Sequence, residues 1–259
     1  MESNLQRSKK GIYLLPNLIT TASLFAGFYA VVAATDGRFG IAALSVFIAM
    51  LLDALDGRIA RYTKTTSDFG ANYDTLADMM SFGIAPALVM YEWALYELHP
   101  LGLAWAKLGW LAAFFYVAAA ALRLARFNTL SNGESTKFFL GLPSPAAAGF
   151  LMSLVWVCNE AGIPGSEVKG IAFIFTILVS ALMVSKFLFY SFKDVNEREK
   201  VRFIWLLFAV IILIAITINP PIVLMLLFLS YVASGPTEKL WKKNKNLNTV
   251  SSDTTDTEI

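Results

Sequence analysis

Five aspartates fall between Asp53 and Asp78, in a stretch of sequence otherwise apolar enough to lie in a membrane. The run D-A-L-D-G-R-I-A-R spans Asp53 to Arg61, and G-A-N-Y-D-T-L-A-D spans Gly70 to Asp78. A carboxylate at membrane depth is costly unless something pairs with it, so such residues point to function. Asp53 and Asp56 are spaced i, i+3, and Asp74 and Asp78 are spaced i, i+4. On helices each pair shares one face. Two helices that each aim two carboxylates at a common point make an oxygen-only cage, the donor set of hard divalent cations. His99 and Cys158 are the only residues of their types, so neither a His/Cys metal site nor an internal disulfide can form.

The elements that must hold these carboxylates are membrane helices. The chain has 259 residues, 57% hydrophobic and 15% charged, with a mean hydropathy of +0.60. Soluble domains carry about 25% charged residues. With about 20 apolar residues needed per crossing, the sequence predicts an all-α, polytopic transmembrane bundle of about eight helices. The predicted spans lie near 15–35, 39–62, 74–97, 103–127, 143–160, 168–190, 202–218 and 220–234. Asn219-Pro220-Pro221 separates the last two as a tight turn. The first span carries no small-residue cleavage site and reads as a retained helix. Residues 1–14 read as a basic juxtamembrane segment, with an amphipathic helix over 5–15. Residues 191–235 read as a C-terminal hairpin, and 236–259 as a disordered tail. With the N-terminus in the cytoplasm, all but Arg38, Lys107 and Lys169 of the 21 Lys and Arg collect on the cytoplasmic side. Both termini and the aspartates then face the cytoplasm.

Within the motif, Asp53 and Asp56 close the second helix. Gly57 and Ala60 lack bulk, which lets a flat ligand or a phosphate approach the backbone. Arg61 follows, suited to a carboxylate or a phosphate, and Gly70 begins the turn into the third helix. Two divalent ions in such a cage can clamp a pyrophosphate and neutralise charge on a leaving group. Four carboxylates offset their four positive charges. Asp78, deepest in its helix, is the candidate to take a proton from an attacking hydroxyl. Helix capping and the helix dipole would explain Asp74 without any ligand, but not Asp53, Asp56 and Asp78 together.

The pattern D-x-x-D-G-x-x-A-R, eight residues, G-x-x-x-D-x-x-x-D resembles the signature of the CDP-alcohol phosphatidyltransferases at Asp53, Asp56, Gly57, Ala60, Arg61, Gly70, Asp74 and Asp78. The resemblance implies a six-helix catalytic core over 15–190, a homodimer, and metal-dependent displacement of CMP from a CDP-linked lipid. It implies that Asp53, Asp56, Asp74 and Asp78 hold two ions, Mg or Mn, with Asp78 also the general base. It sets Gly57, Ala60, Arg61 and Gly70 at the CDP moiety. Pro16-Asn17-Leu18-Ile19-Thr20 is similar to the first-helix element whose Asn17 and Thr20 would reach the nucleotide. Helix capping after Pro16 is an equal account of those two residues.

Three further segments bear on the acceptor: Ala77-Asp78-Met79-Met80-Ser81-Phe82-Gly83, Leu122-Arg123-Leu124-Ala125-Arg126-Phe127-Asn128 and Gly141-Leu142-Pro143-Ser144-Pro145-Ala146. In wording and order they resemble the membrane-embedded phosphatidylserine synthases, and the likeness covers most of residues 14–150. The implied substrates are CDP-diacylglycerol and L-serine, within a bacterial-type inner membrane and its lipids, with no nucleic acid involved. Arg123 and Arg126 would meet the carboxylate of serine, with Ser81 nearby and Lys137 adding positive potential. As plain structure, both arginines would be snorkelling anchors. Ser144 either lines the pocket or merely opens a helix between prolines. The phosphatidylserine synthases that work through paired H-x-K motifs are excluded by the single histidine. Glycerol 3-phosphate or an inositol phosphate is the alternative acceptor. A cation-coupled transporter is the rival outside the class, and it would place charges at the midplane or repeat the motif in a second half.

Overall fold

The computed structural model describes residues 2–63, 65, 67–130, 138–190 and 203–253, and side chains within 15–237. The described residues are almost wholly helical. Helix α1 (Glu2–Thr35) turns back through Asp36-Gly37-Arg38 into α2 (Phe39–Tyr62), and the two pack along their length. Their seam is built of small residues: Ala30, Ala33, Ala42, Ala43 and Ala49 are all fully buried. Small side chains let helix backbones approach closely, which is how apolar helices gain packing energy where no water drives them together. Pro16 lies inside α1, so the backbone runs as one helix through the segment read as a separate juxtamembrane helix over 5–15.

The third predicted span is not one regular helix. It runs as α3 (Asp68–Asp78), a π-helical turn (Met79–Ile84), α4 (Ala85–Met90), a second π turn (Tyr91–Leu95) and a 3-10 turn (Tyr96–Leu101). Its start is earlier than the motif suggests. Ser67 is the N-cap, and its hydroxyl accepts the Gly70 N–H at 3.0 Å, so Gly70 lies within the first turn. The first π turn begins just after Asp78, so Ser81 does not follow the α-helical stagger set by α3. π segments of this kind recur at functional sites. Close packing holds the first one: the Ser81 hydroxyl donates to the Ser23 carbonyl at 3.2 Å, and a Cβ on Gly27 would sit 2.5 Å from Ser81 Oγ. On the other side, the Tyr116 hydroxyl donates to the Phe82 carbonyl at 3.0 Å.

Helices α5 (Leu103–Leu130), α6 (Ser144–Glu160) and α7 (Gly165–Val184) complete the core. A two-stranded antiparallel ribbon, unforeseen in an all-α reading, joins β1 (Phe138–Leu140) to β2 (Leu188–Tyr190), with Phe139 opposite Phe189. Gly141 ends this ribbon at φ +84°, and a Cβ there would lie 2.2 Å from the Met183 carbonyl oxygen. Only glycine fits that bend, which swings Pro143 and Ser144 into the start of α6.

Helices α8 (Phe203–Ile218) and α9 (Pro220–Asp253) form the C-terminal pair. Asn219 caps α9 through its side chain, which accepts the Ile222 N–H at 3.3 Å, and the prolines occupy the first turn, where their missing N–H costs nothing. Helix α9 packs on α6, and its backbone stays helical past Pro236, where the composition predicts a disordered tail. Among the described residues, five helical stretches are long and apolar enough to cross a membrane: Leu15–Thr35, Phe39–Tyr62, Leu103–Thr129, Gly165–Val184 and Pro220–Thr237. The α6 helix is shorter, at 17 residues, and largely buried among the others.

Candidate active site

The last turns of α2 and the body of α3 bring the aspartates together. Asp53, Asp56 and Asp74 each offer a carboxylate oxygen, and these three oxygens lie within 4.8 Å of one another. Asp78, one turn after Asp74 on α3, stands beside this set. Asp74 Oδ1 is buried without a hydrogen-bond partner among the described residues. A buried acceptor left unpaired is costly, and here it faces a cluster of the same charge. A divalent cation is the partner that resolves both problems. The donor set therefore fits a hard metal: oxygen ligands only, mutually within coordination reach, one of them unsatisfied.

Asp56 is held from behind. The Thr20 hydroxyl on α1 donates to Asp56 Oδ2 at 2.6 Å, and it also lies 3.1 Å from the Pro16 carbonyl. Both Thr20 and Asp56 are buried. A hydrogen bond to a charged acceptor is worth about 1.5–3 kcal/mol, enough to fix the carboxylate in one orientation. Thr20 thus touches the acidic cluster itself, a contact that spacing within one helix cannot reveal. Asn17 is half-buried, with its side-chain oxygen 3.5 Å from the point a Cβ on Gly70 would occupy. One turn away, the hydroxyls of Thr21 and Tyr73 meet at 2.9 Å and tie α1 to α3. The Asn128 amide donates to Thr75 at 3.2 Å and ties α5 to the same helix.

Gly57 has open space where a Cβ would stand, and Ala60 is half-buried. Arg58 and Arg61 are exposed, with Arg61 Nε donating to the Gly57 carbonyl at 2.9 Å. These two arginines sit at one side of a cleft of about 1020 Å³ whose other walls are mostly apolar. Pro143, Pro145 and Ala146 from α6, and Leu227 and Phe228 from α9, are among its lining. A cationic rim over an apolar trough suits an amphiphile with an anionic head.

Arg123 approaches from α5. It is half-buried, and its guanidinium donates to Ser144 Oγ at 2.7 Å. Ser144 is fully buried, so its hydroxyl serves Arg123 and does not face open space. Arg126 is half-buried one turn further on. Ser81, a residue considered for the acceptor, is fully buried against α1. Lys137 lies outside the described residues. Two contributions escape sequence reasoning: Thr20 as the orienting donor of Asp56, and Ser144 as the seat of Arg123. The sequence marks both residues, Thr20 in the run Pro16–Thr20 and Ser144 between two prolines, but not the partner that each one binds.

Half-buried carboxylates converging at one end of a helical membrane bundle, with an amphipathic cleft lined by Arg58 and Arg61 of the same helix α2, define a membrane enzyme acting on an anionic, lipid-linked substrate. Residues 13–184 match the CDP-alcohol phosphatidyltransferase family, and the chain belongs to it. The chain is 36% identical over 197 residues to the CDP-diacylglycerol–serine O-phosphatidyltransferase of Helicobacter pylori, covering 76% of this chain and 80% of that protein. It is 33% identical over 179 residues to the protein of that name in Bacillus subtilis, covering 69% and 91%. It is 32% identical over 178 residues to the one in Methanocaldococcus jannaschii, covering 69% and 74%.

Proposed function

We propose that this chain transfers the phosphatidyl group from CDP-diacylglycerol to the hydroxyl of L-serine, giving phosphatidylserine and CMP. The observation that carries this reading is the convergence of Asp53, Asp56 and Asp74, one oxygen unpartnered among the described residues, on the helix whose Arg58 and Arg61 line a mostly apolar cleft. The names of the relatives supply the acceptor.

Asp53, Asp56, Asp74 and Asp78 would hold two divalent ions, Mg or Mn. When bound, these ions supply charge neutralisation for the pyrophosphate and the departing CMP. The protein's own groups do the rest. Arg61 and the bare backbone at Gly57 and Ala60 receive the CDP moiety, with Asn17 and Gly70 across from them. The apolar cleft takes the acyl region while the nucleotide stays in water. Arg123, with Arg126 behind it, attracts the serine carboxylate. Asp78 takes the proton of the serine hydroxyl as its oxygen attacks the lipid-side phosphorus. A phosphorus–oxygen bond to serine forms, and the bond to CMP breaks.

The orientation argued from Lys and Arg placement fits a cytoplasmic active site in a bacterial-type inner membrane, where CDP-lipid and serine meet. Family resemblance supports a homodimer. The test is CMP release by the purified protein in mixed micelles of CDP-diacylglycerol with Mn or Mg. L-serine, glycerol 3-phosphate and inositol phosphate are compared as acceptors. Release with serine alone is the expected result. Release with a phosphorylated acceptor would retain the metal cage and remove the serine assignment.

A further inference from the structure

Helix α1 carries none of the four aspartates, yet it bonds to α2 and to the π turn that continues α3. Thr20, Ser23 and Gly27 are spaced i, i+3 and i+7 along it, so they share one face. Thr20 reaches Asp56 directly. Ser23, one turn further on, is buried and makes two bonds between helices. Its hydroxyl donates to the Ala49 carbonyl of α2 at 2.9 Å, and its carbonyl accepts from the Ser81 hydroxyl at 3.2 Å. Gly27 permits the second contact: a Cβ there would lie 2.5 Å from Ser81 Oγ and 2.8 Å from Ser81 Cα.

Both bonds of Ser23 end next to metal-ligand candidates. Ala49 stands four residues before Asp53 in α2, the position whose carbonyl takes the Asp53 N–H in an α-helix. Ser81 stands three residues after Asp78, inside the first π turn. A carbonyl oxygen has two lone pairs, so each can accept a hydroxyl without giving up a helical N–H. One residue thus spans the gap between the pair Asp53 and Asp56 and the pair Asp74 and Asp78. Carboxylates of like charge repel, so that gap needs a link that does not depend on the ion. Its width matters for the choice of ion. Mg demands near-ideal octahedral geometry at short distances, whereas Ca takes more oxygens in a flexible shell.

We propose that Ser23 is a positioning residue of the metal cage: bonded to the Ala49 carbonyl and to Ser81, it fixes the separation of the two aspartate pairs and with it the fit to a small divalent ion. This rests on the reading of the aspartates as a divalent-metal site. Helix α1 would then hold the ligands of both pairs from behind, Thr20 through a side chain and Ser23 through the backbone.

Melting temperatures of the full-length protein in detergent test this, titrated with Mg and separately with Ca, for wild type, Ser23→Ala, Ser81→Ala and Ser45→Ala. Ser45 is the control, a buried hydroxyl of α2 that bonds within its own helix, to the Ile41 carbonyl at 2.8 Å. Ser23→Ala should raise the Mg concentration for a half-maximal thermal shift about tenfold, the size of a lost outer contact. Its Ca requirement should stay within about twofold of wild type. Ser81→Ala should raise the Mg requirement in the same direction, and it decides the question where Ser23→Ala does not fold. Ser45→Ala should match wild type with both ions. An unchanged Mg requirement in Ser23→Ala and Ser81→Ala, with wild type still shifted by Mg, would overturn the role of Ser23 and leave the metal reading standing. Equal rises for Mg and Ca, or the same rise in Ser45→Ala, would make Ser23 a packing residue and overturn the proposal. No shift of wild type with either ion would remove the metal reading and the inference with it.

Discussion

The two ends of the α1–α2 hairpin treat charge in opposite ways. At the turn, Arg38 donates to Asp36 at 2.7 Å and lies over the Tyr29 ring at 5.8 Å. Both charged groups are exposed, paired with each other and washed by solvent. At the far end, Asp53 and Asp56 meet Asp74 and Asp78 across α3, and acid faces acid. An exposed pair is complete in itself and worth little. A half-buried cluster of one sign is incomplete without a cation, and the fold tolerates it because other contacts hold α3 in place. Polarity alone does not mark a working end; unsatisfied, oriented polarity does.

The sharpest way to break this contrast is at the proton acceptor. Asp78→Asn should lower turnover by about 10²–10⁴-fold, the range for loss of a general base, with an unchanged melting temperature. Near wild-type CMP release would remove Asp78 from the chemistry. At the turn, Arg38→Gln should leave turnover as it was, and a matching loss there would erase the distinction between the ends.

Metal removal comes next. A chelator should abolish activity, and Mg or Mn should restore it. The same ions should raise the melting temperature of wild type, because a ligand that binds only the folded state stabilises it. Asp74→Asn should lose most of that thermal shift, since it weakens the donor set at the one oxygen without a partner. An undiminished shift would mean that the ion binds elsewhere.

Behind the ligands, Thr20→Val removes the hydroxyl that fixes Asp56 while keeping the branched shape. Outer contacts of this kind are worth about 10–100-fold in metal affinity or activity. The metal concentration needed for half-maximal activity should rise accordingly, and Thr20→Ser should recover most of the loss. The smallest effect on chemistry and the clearest on folding belongs to Gly141→Ala. A methyl group directed at the Met183 carbonyl from a left-handed backbone should lower the melting temperature. Any loss of activity should follow from the displaced start of α6 and appear in the serine KM.

Much of this was legible in the chain. Hydropathy outlined eight helical stretches, because a bilayer demands length and apolarity locally. The aspartate spacing named the candidate ligands, because i, i+3 and i, i+4 positions share a helix face whatever surrounds them. The π turn after Asp78 was not legible. It depends on Ser81 closing onto Ser23 and Tyr116 reaching the Phe82 carbonyl, contacts made 58 and 34 residues apart. Nor was the early start of α3: Ser67 reads as part of a polar connection until its hydroxyl is seen on the Gly70 N–H. Serine 81 looked like an acceptor contact because it neighbours the motif, yet the altered phase buries it against α1.

The residue types alone determined the class of chemistry: oxygen donors without histidine or thiol, set in an apolar chain, admit a hard cation and an amphiphilic substrate. Only the tertiary structure decided which donors meet. Asp56 is oriented by a hydroxyl 36 residues earlier, Arg123 is seated by one 21 residues later, and one wall of the cleft comes from α9, far along the chain from α2. The reason is physical. Periodicity fixes the face a side chain occupies on its own helix. The face it meets depends on how closely helices approach, and that is set by small residues such as Ala42, Gly149 and Gly235, whose partners lie far away in sequence.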